Sequence, residues 1–178
     1  GHRFGRLMCG IGGMFGEPDP AVVQRMNTLL HHRGPDGNAV WSDEHISLGH
    51  TRLAIVDLVG SNQPLKGSKG EVLIANGEIY NYKELYKMMG ITPNSDSDCE
   101  VIIHLYLKYG IKHTLRMLDG VFAFILFTPS TIYVARDPYG VRPLYFMSPN
   151  SVFTSTLGFT SELKTCCNIA NTLGCEVN

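Results

Sequence analysis

The run Met8-Cys9-Gly10-Ile11-Gly12-Gly13 sets a thiol directly behind a methionine and ahead of three glycines. If the chain is trimmed through Met8, Cys9 carries a free α-amine on the same carbon as its thiol. Nucleophile and base would then share one residue, since an α-amine and a thiol titrate within about one unit of each other and can exchange a proton without a histidine. The competing reading is a core cysteine in a glycine-flanked strand. His32 and His50 invite a cysteine-histidine dyad, but an α-amine base makes one unnecessary, and both are read as structural. Polar groups gather again where Val72-Leu73-Ile74-Ala75 runs into Asn76-Gly77-Glu78-Ile79-Tyr80-Asn81, although Asn76-Gly77 alone reads as a plain hairpin turn. Cys166, Cys167 and Cys175 are near one another in sequence, but no histidine stands at ligand spacing and no metal is expected.

The elements that must hold these residues follow from periodicity. Gly10 to Phe15 reads as a strand whose glycines admit other backbone. After the helix-starting turn Glu17-Pro18-Asp19-Pro20, apolar Val22, Val23, Met26, Leu29 and Leu30 recur at steps of three and four, an amphipathic helix that must stop in His32-Arg33-Gly34-Pro35-Asp36-Gly37. Val40 to Trp41, Ile46 to Leu48 and Leu53 to Asp57 read as short strands. Asn81 with Glu84, and Ser97 with Glu100, resemble capping boxes opening two helices, the first ending at Gly90, and Lys112 to Leu118 forms a third. Val121 to Phe127 is a continuously apolar strand, paired with Thr131 to Ala135 as a hairpin expected deep in the structure. Leu144 to Phe146 with Val152 to Thr154 makes a further hairpin, Ser161 to Lys164 starts a helix, and the last ten residues should be loosely held. Strands mostly follow strands here, with helices in two groups. That order predicts an α+β fold of antiparallel sheets sandwiched by helices, rather than a doubly wound parallel sheet.

Bulk properties narrow the function classes. A chain of 178 residues suits one domain with a single sizeable core. Its 15 basic residues are scattered and the formal net charge is -1, so no electrostatic footprint for nucleic acid exists. The longest apolar run, Val121 to Phe127, is too short to span a bilayer, and residues 1–8 lack the apolar centre of a signal peptide. Five cysteines without a regular framework favour a reducing compartment, and a soluble cytoplasmic protein is expected.

Six motifs carry a resemblance. Cys9-Gly10-Ile11-Gly12-Gly13, His32-Arg33-Gly34-Pro35-Asp36-Gly37, Gly49-His50-Thr51-Arg52-Leu53-Ala54-Ile55-Val56-Asp57, Asn76-Gly77-Glu78-Ile79-Tyr80-Asn81, Ser97-Asp98-Cys99-Glu100 and Ala135-Arg136-Asp137-Pro138-Tyr139-Gly140 stand in the order seen in class II glutamine amidotransferases. More narrowly, the set resembles the N-terminal glutaminase domain of glutamine-hydrolysing asparagine synthetases, from Cys9 to about Lys164. The resemblance implies an Ntn-hydrolase-like, four-layer αββα sandwich. It implies Cys9 as nucleophile with its own α-amine as base. Asn76, through its side-chain amide, and Gly77, through its backbone N–H, match the oxyanion hole. Arg52 matches the carboxylate-binding arginine, and Asp98 with Glu78 the acids that hold the substrate ammonium. Taken alone, Arg52 is a surface arginine beside a strand, and Asp98 an acid stabilising the first turn of a helix.

The expected organisation is a leader, propeptide or cloning remnant at 1–8, the amidotransferase domain at 9–164 and a loosely ordered tail at 165–178. The expected activity is hydrolysis of L-glutamine through a Cys9 thioester, with ammonia passed to a synthetase domain or subunit. Arg52-Leu53-Ala54-Ile55 favours the asparagine synthetase branch, because the corresponding arginine of the sugar-phosphate and purine amidotransferases is typically followed by tryptophan. No phosphate-binding loop is present, so no cofactor is expected in this chain, and ATP and magnesium belong to the synthetase domain. No nucleic acid or membrane partner is expected. The rival reading is a catalytically silent regulatory or binding domain in which residues 1–8 acylate the Cys9 nitrogen and remove the base.

Overall fold

A computed structural model describes residues 9–16, 19–52, 63–140, 142, 144–149, 157–162, 164–165 and 175–177. The chain divides into two compact units, Gly1–Ile55 with Pro143–Asn178, and Val56–Arg142. No helix among the described residues is long and apolar enough to cross a membrane.

The first unit opens with strand β1 (Gly10–Phe15), all six residues buried. Helix α1 (Pro20–Leu29) begins where the sequence predicts: Asp19 accepts a hydrogen bond from the Ala21 N–H at 2.9 Å, and Pro20 occupies the first turn, where its missing N–H costs nothing. Val23 and Met26 bury the apolar face of α1, packed with Met14 of β1. Strands β2 (Gly37–Ser42) and β3 (Ile46–Arg52) form a hairpin turned by Asp43, whose Oδ1 accepts from the N–H groups of His45 and Ile46. Both run longer than their apolar cores, because the antiparallel ladder continues through polar pairs such as Gly37 with Arg52. Gly10 pairs with Thr51 and Phe15 with Ile46. The strand expected at Leu53 to Asp57 lies outside the described residues.

The second unit holds β4 (Leu65–Lys66), β5 (Val72–Ile79), α2 (Tyr82–Met89), a 3-10 turn (Asp98–Glu100), α3 (Val101–Tyr109), α4 (Ile111–Met117), β6 (Gly120–Phe127) and β7 (Ile132–Arg136). Its sheet is antiparallel in the order β4-β5-β6-β7. Leu73, Ala75 and Ile79 of β5 and Phe122, Phe124 and Leu126 of β6 lie on one face and join Leu85, Ile102 and Leu105 in one core cluster. Full burial of a side chain such as Phe124 contributes about 1.5 to 3 kcal/mol. The β6-β7 hairpin is deep on one side only, since β7 is an edge strand with Val134 38% exposed.

Neither expected capping box forms. The Asn81 side chain bridges forward instead, donating to the Met117 carbonyl at 2.8 Å and accepting from the Asp119 N–H at 3.0 Å. Ser97 makes no side-chain cap, and Glu100 is drawn into the core. Gly90 ends α2 in the left-handed conformation, as expected.

The chain then returns to the first unit with β8 (Tyr145–Pro149), β9 (Leu157–Thr160) and β10 (Cys175–Val177), completing a sheet in the order β10-β8-β9-β1-β3-β2. The described partner of β8 in its hairpin is β9 rather than residues 152–154, which lie outside the described residues. The stretch expected to be loosely held contributes β10, paired with Met147 to Pro149 of β8. Two antiparallel sheets, each carrying its own helices, give the α+β class expected.

Candidate active site

The residues singled out for chemistry fall into two groups, one in each unit. In the first unit, half-buried Cys9 stands at the head of β1. The next residue is fixed tightly: the Gly10 N–H donates to Thr51 Oγ1 at 3.0 Å, and a Cβ on Gly10 would collide with that hydroxyl and lie 2.9 Å from Leu30 Cβ. The Ile11 N–H donates to Ser161 Oγ at 2.8 Å. Arg52 follows Thr51 in β3, so the β1-β3 register brings Cys9 and Arg52 to the same end of this sheet. The Arg52 side chain lies outside the described residues. His50 is buried opposite Ile11.

Arg33, unassigned in the sequence, meets the Cys9 backbone and is tied to Glu162, which also meets His32, read there as structural. Arg33, with only 10% of its side chain exposed, donates through Nε to the Cys9 carbonyl at 3.2 Å and through Nη1 to Glu162 at 3.0 Å. His32 Nε2 meets the same carboxylate at 2.9 Å. Burial pushes the Glu162 carboxyl up, but the hydrogen bonds of Arg33 and His32 outweigh it and hold the group below the usual carboxylate range. Glu162 therefore anchors the guanidinium that grips the Cys9 main chain. Arg33 and His32 stood in a visible motif, but no local signal could pair them with a residue some 130 positions away.

In the second unit, β5 carries Asn76, Gly77 and Glu78 in succession. The strand does not end at Asn76-Gly77 in a turn. It pairs with β6 through Asn76 with Ala123, Gly77 with Phe122, and on to Ile79 with Gly120. Asn76 and Glu78 lie on the face opposite the helix-packed residues Ala75 and Ile79, roughly 7 Å apart along the strand. Asn76 is 3% exposed, yet its Nδ2 makes no hydrogen bond among the described residues. Such a buried donor costs about 1 to 3 kcal/mol when unpaired. Gly77 adopts φ +143°, and a Cβ there would drive into the Val121 carbonyl oxygen and stand 2.7 Å from Phe122 Cα. Only glycine lets the two backbones lie this close with that φ.

Glu78 is exposed at the end of this face, and Asp98, first residue of the 3-10 turn, comes to it from outside the strand. Asp98 Oδ2 accepts the Ile79 N–H at 2.6 Å. Burial raises the Asp98 carboxyl above its ordinary value and the Glu78 charge adds to this, against the lowering effect of the N–H groups of Ile79, Asp98 and Cys99. Two carboxylates so placed favour a cation between them. Along this face, the second unit offers an unpaired amide donor, a glycine that admits close approach, and an acid pair. That set suits a small molecule carrying an ammonium at one end and a carbonyl at the other. Among the described residues no group of three or more histidine, cysteine or acidic side chains could hold a metal ion. Cys166 and Cys167 lie outside them, as does the side chain of Cys175.

Comparison with known proteins adds an independent line. The family model described as glutamine amidotransferase domain matches residues 8–175. The chain is 41% identical over 170 residues to the glutamine-hydrolysing asparagine synthetase of Gallus gallus, covering 91% of this chain and 30% of that protein. It is 37% identical over 170 residues to asparagine synthetase 1 of Bacillus subtilis (strain 168), covering 88% of this chain and 26% of that protein. Among solved structures, the glutamine phosphoribosylpyrophosphate amidotransferase of B. subtilis superimposes with a TM-score of 0.76 at 26% identity, over 96% of this chain and 44% of that one. The chain thus spans under a third of the length of these curated relatives.

Proposed function

Because the chain belongs to the glutamine amidotransferase domain family, we propose that it hydrolyses L-glutamine to L-glutamate and ammonia through a thioester on Cys9. The observation that carries this reading is the buried, unpaired Nδ2 of Asn76 beside Gly77. A donor already aimed, and not engaged by the protein, is what a developing oxyanion needs. Once residues 1–8 are removed, the Cys9 α-amine takes the thiol proton and the sulfur attacks the side-chain amide carbon. The carbonyl oxygen becomes an oxyanion received by Asn76 Nδ2 and the Gly77 N–H. Collapse breaks the C–N bond, and the amine returns the proton to the leaving ammonia. Water then attacks the thioester and gives a proton to the α-amine, the C–S bond breaks, the amine returns that proton to the thiolate, and glutamate departs.

Arg52 would hold the α-carboxylate in bidentate fashion, and Asp98 with Glu78 the ammonium. Arg33 and Glu162 keep the Cys9 main chain in place for attack. The ammonia would pass to an asparagine-synthetase-type domain or subunit, which the similarity to the Gallus gallus and B. subtilis enzymes supports. ATP and magnesium belong to that partner.

The test is glutamate release from glutamine, with intact mass measured on the same preparation. A chain beginning at Cys9, trapped by glutamine as an acyl adduct and silenced by Cys9→Ala, is the expected result. Full activity with Gly1 still attached refutes the α-amine base, and activity surviving Cys9→Ala refutes the thioester.

A further inference from the structure

We propose that Glu100 is a positioning residue for glutamine, its buried carboxylate fixing the short turn that presents Asp98 to the substrate ammonium. The inference rests on the role given above to Asp98. The turn Asp98–Glu100 is only three residues long and follows an irregular stretch from Ile91 to Ser97. On its N-terminal side the backbone is tied by a 3.3 Å bond from the Glu100 N–H to the Ser97 carbonyl, and on its C-terminal side the turn runs into α3 at Val101.

The Glu100 side chain adds a third hold on the turn. It is 5% exposed, and one oxygen, Oε2, receives three donors: the Asn94 N–H at 2.8 Å, Tyr86 Oη at 3.0 Å and His104 Nε2 at 3.1 Å. These donors come from three separate elements, the irregular stretch, α2 and α3. An ionised carboxylate can only accept, so it also sets the Nε2-protonated form of His104. Burying a charge is costly and an apolar side chain would avoid the cost. What the carboxylate adds is three directional contacts that lock the approach to the turn against two helices. At the other end, Asp98 Oδ2 on the Ile79 N–H ties the turn to β5, one residue beyond Glu78. Asp98 is thereby set against Glu78 by two anchors, its own contact with the Ile79 N–H and the contacts made by Glu100.

The test uses the full chain in its glutamine-hydrolysing form, with 4-carbamoylbutanoate as competitor, a glutamine analogue lacking the α-ammonium. Glu100→Gln is expected to raise KM for glutamine about 10- to 100-fold with kcat within about threefold, since displacing a binding group by about 1 Å has effects of this order. The inhibition constant of the competitor should stay within about twofold, because it makes no use of Asp98. Tyr86→Phe removes one donor and should move KM the same way by about 3- to 10-fold, and it carries the test if Glu100→Gln does not fold. An unmoved KM, or a competitor constant that rises in parallel with KM, overturns the proposal. A wild-type chain that neither binds nor hydrolyses glutamine removes the functional reading and this inference with it. Hydrolysis with an unmoved KM removes the inference alone.

Discussion

Replacing Gly77 with alanine tests the geometry of β5 without reference to any substrate. The added Cβ meets two independent obstacles: φ of +143°, which an L-residue rarely adopts, and the backbone of β6 at Val121 and Phe122. The first costs about 1 to 3 kcal/mol. The second cannot be relieved by rotating a side chain, because the obstructing atoms are main chain, and overpacking of this kind costs about 1 to 3 kcal/mol more. Gly90→Ala is the matched control. Gly90 also has positive φ, +66°, but nothing lies within 4 Å of its Cβ position, so it should lose only about 1 kcal/mol. Urea unfolding of both variants should therefore separate them by at least about 1 kcal/mol, with Gly77→Ala down by about 2 to 6 in total. For a domain of this size the thermal midpoint falls by about 2 to 4 °C per kcal/mol, so the Gly77 variant should melt several degrees below the control. Midpoints for the two variants that agree within about 0.5 kcal/mol would refute the claim that β5 and β6 leave no room at Gly77.

Three further perturbations probe the remaining features. Asn76→Leu should lower kcat for glutamine hydrolysis about 100- to 1000-fold while leaving stability equal or higher by about 1 kcal/mol, since it removes a buried donor that has no partner; a clear loss in urea stability would show that the amide is structural. Burial raises the Glu100 carboxyl, but hydrogen bonds from Asn94, His104, Ser95 and Tyr86 outweigh it and bring the group below its ordinary value. Its contribution to stability is therefore fully present above the ordinary carboxylate range and is lost as pH falls through the lowered folded value. Melting followed from neutral to acid pH should show that acid limb shrink in Glu100→Gln, and an unchanged limb would contradict the assignment. Glu162→Gln leaves the Arg33 charge buried with a weaker acceptor and should lower stability by about 1 to 3 kcal/mol, with a smaller deficit at acid pH where the wild-type carboxylate is also protonated; calorimetry at two pH values checks both statements.

What was legible in the sequence was whatever depends on near neighbours. The three-and-four spacing of Val23, Met26 and Leu30 located α1, and Asp19-Pro20 located its start, because a cap and a first-turn proline act within a few residues. The continuous apolar run of β6 was visible for the same reason. The capping boxes failed because their side chains had better partners elsewhere. Asn81 is held by Met117 and Asp119, and Glu100 by Tyr86, Asn94 and His104, none of which a four-residue window can contain. The link from Cys9 through Arg33 to Glu162 was invisible on the same grounds, and β10 needed a strand partner near Met147 that its own polar sequence does not announce.

Asn76-Gly77 shows how a local turn preference yields to strand pairing. The dipeptide favours a two-residue turn, and in isolation that preference should win. It loses here because β6 begins at Gly120 and continues the ladder past Asn76 to Ile79, drawing the dipeptide into a strand that strains the glycine and leaves the asparagine amide unpaired. Beside it, Asp98 carries a raised carboxyl next to a second acid, again an arrangement that stability alone would not select. Each departure has the same chemical remedy. A carbonyl oxygen would satisfy Asn76, and an ammonium would relieve the repulsion between Glu78 and Asp98. Both groups occur together in glutamine, so the places where folding preference is overridden are the ones the proposed reading puts to use.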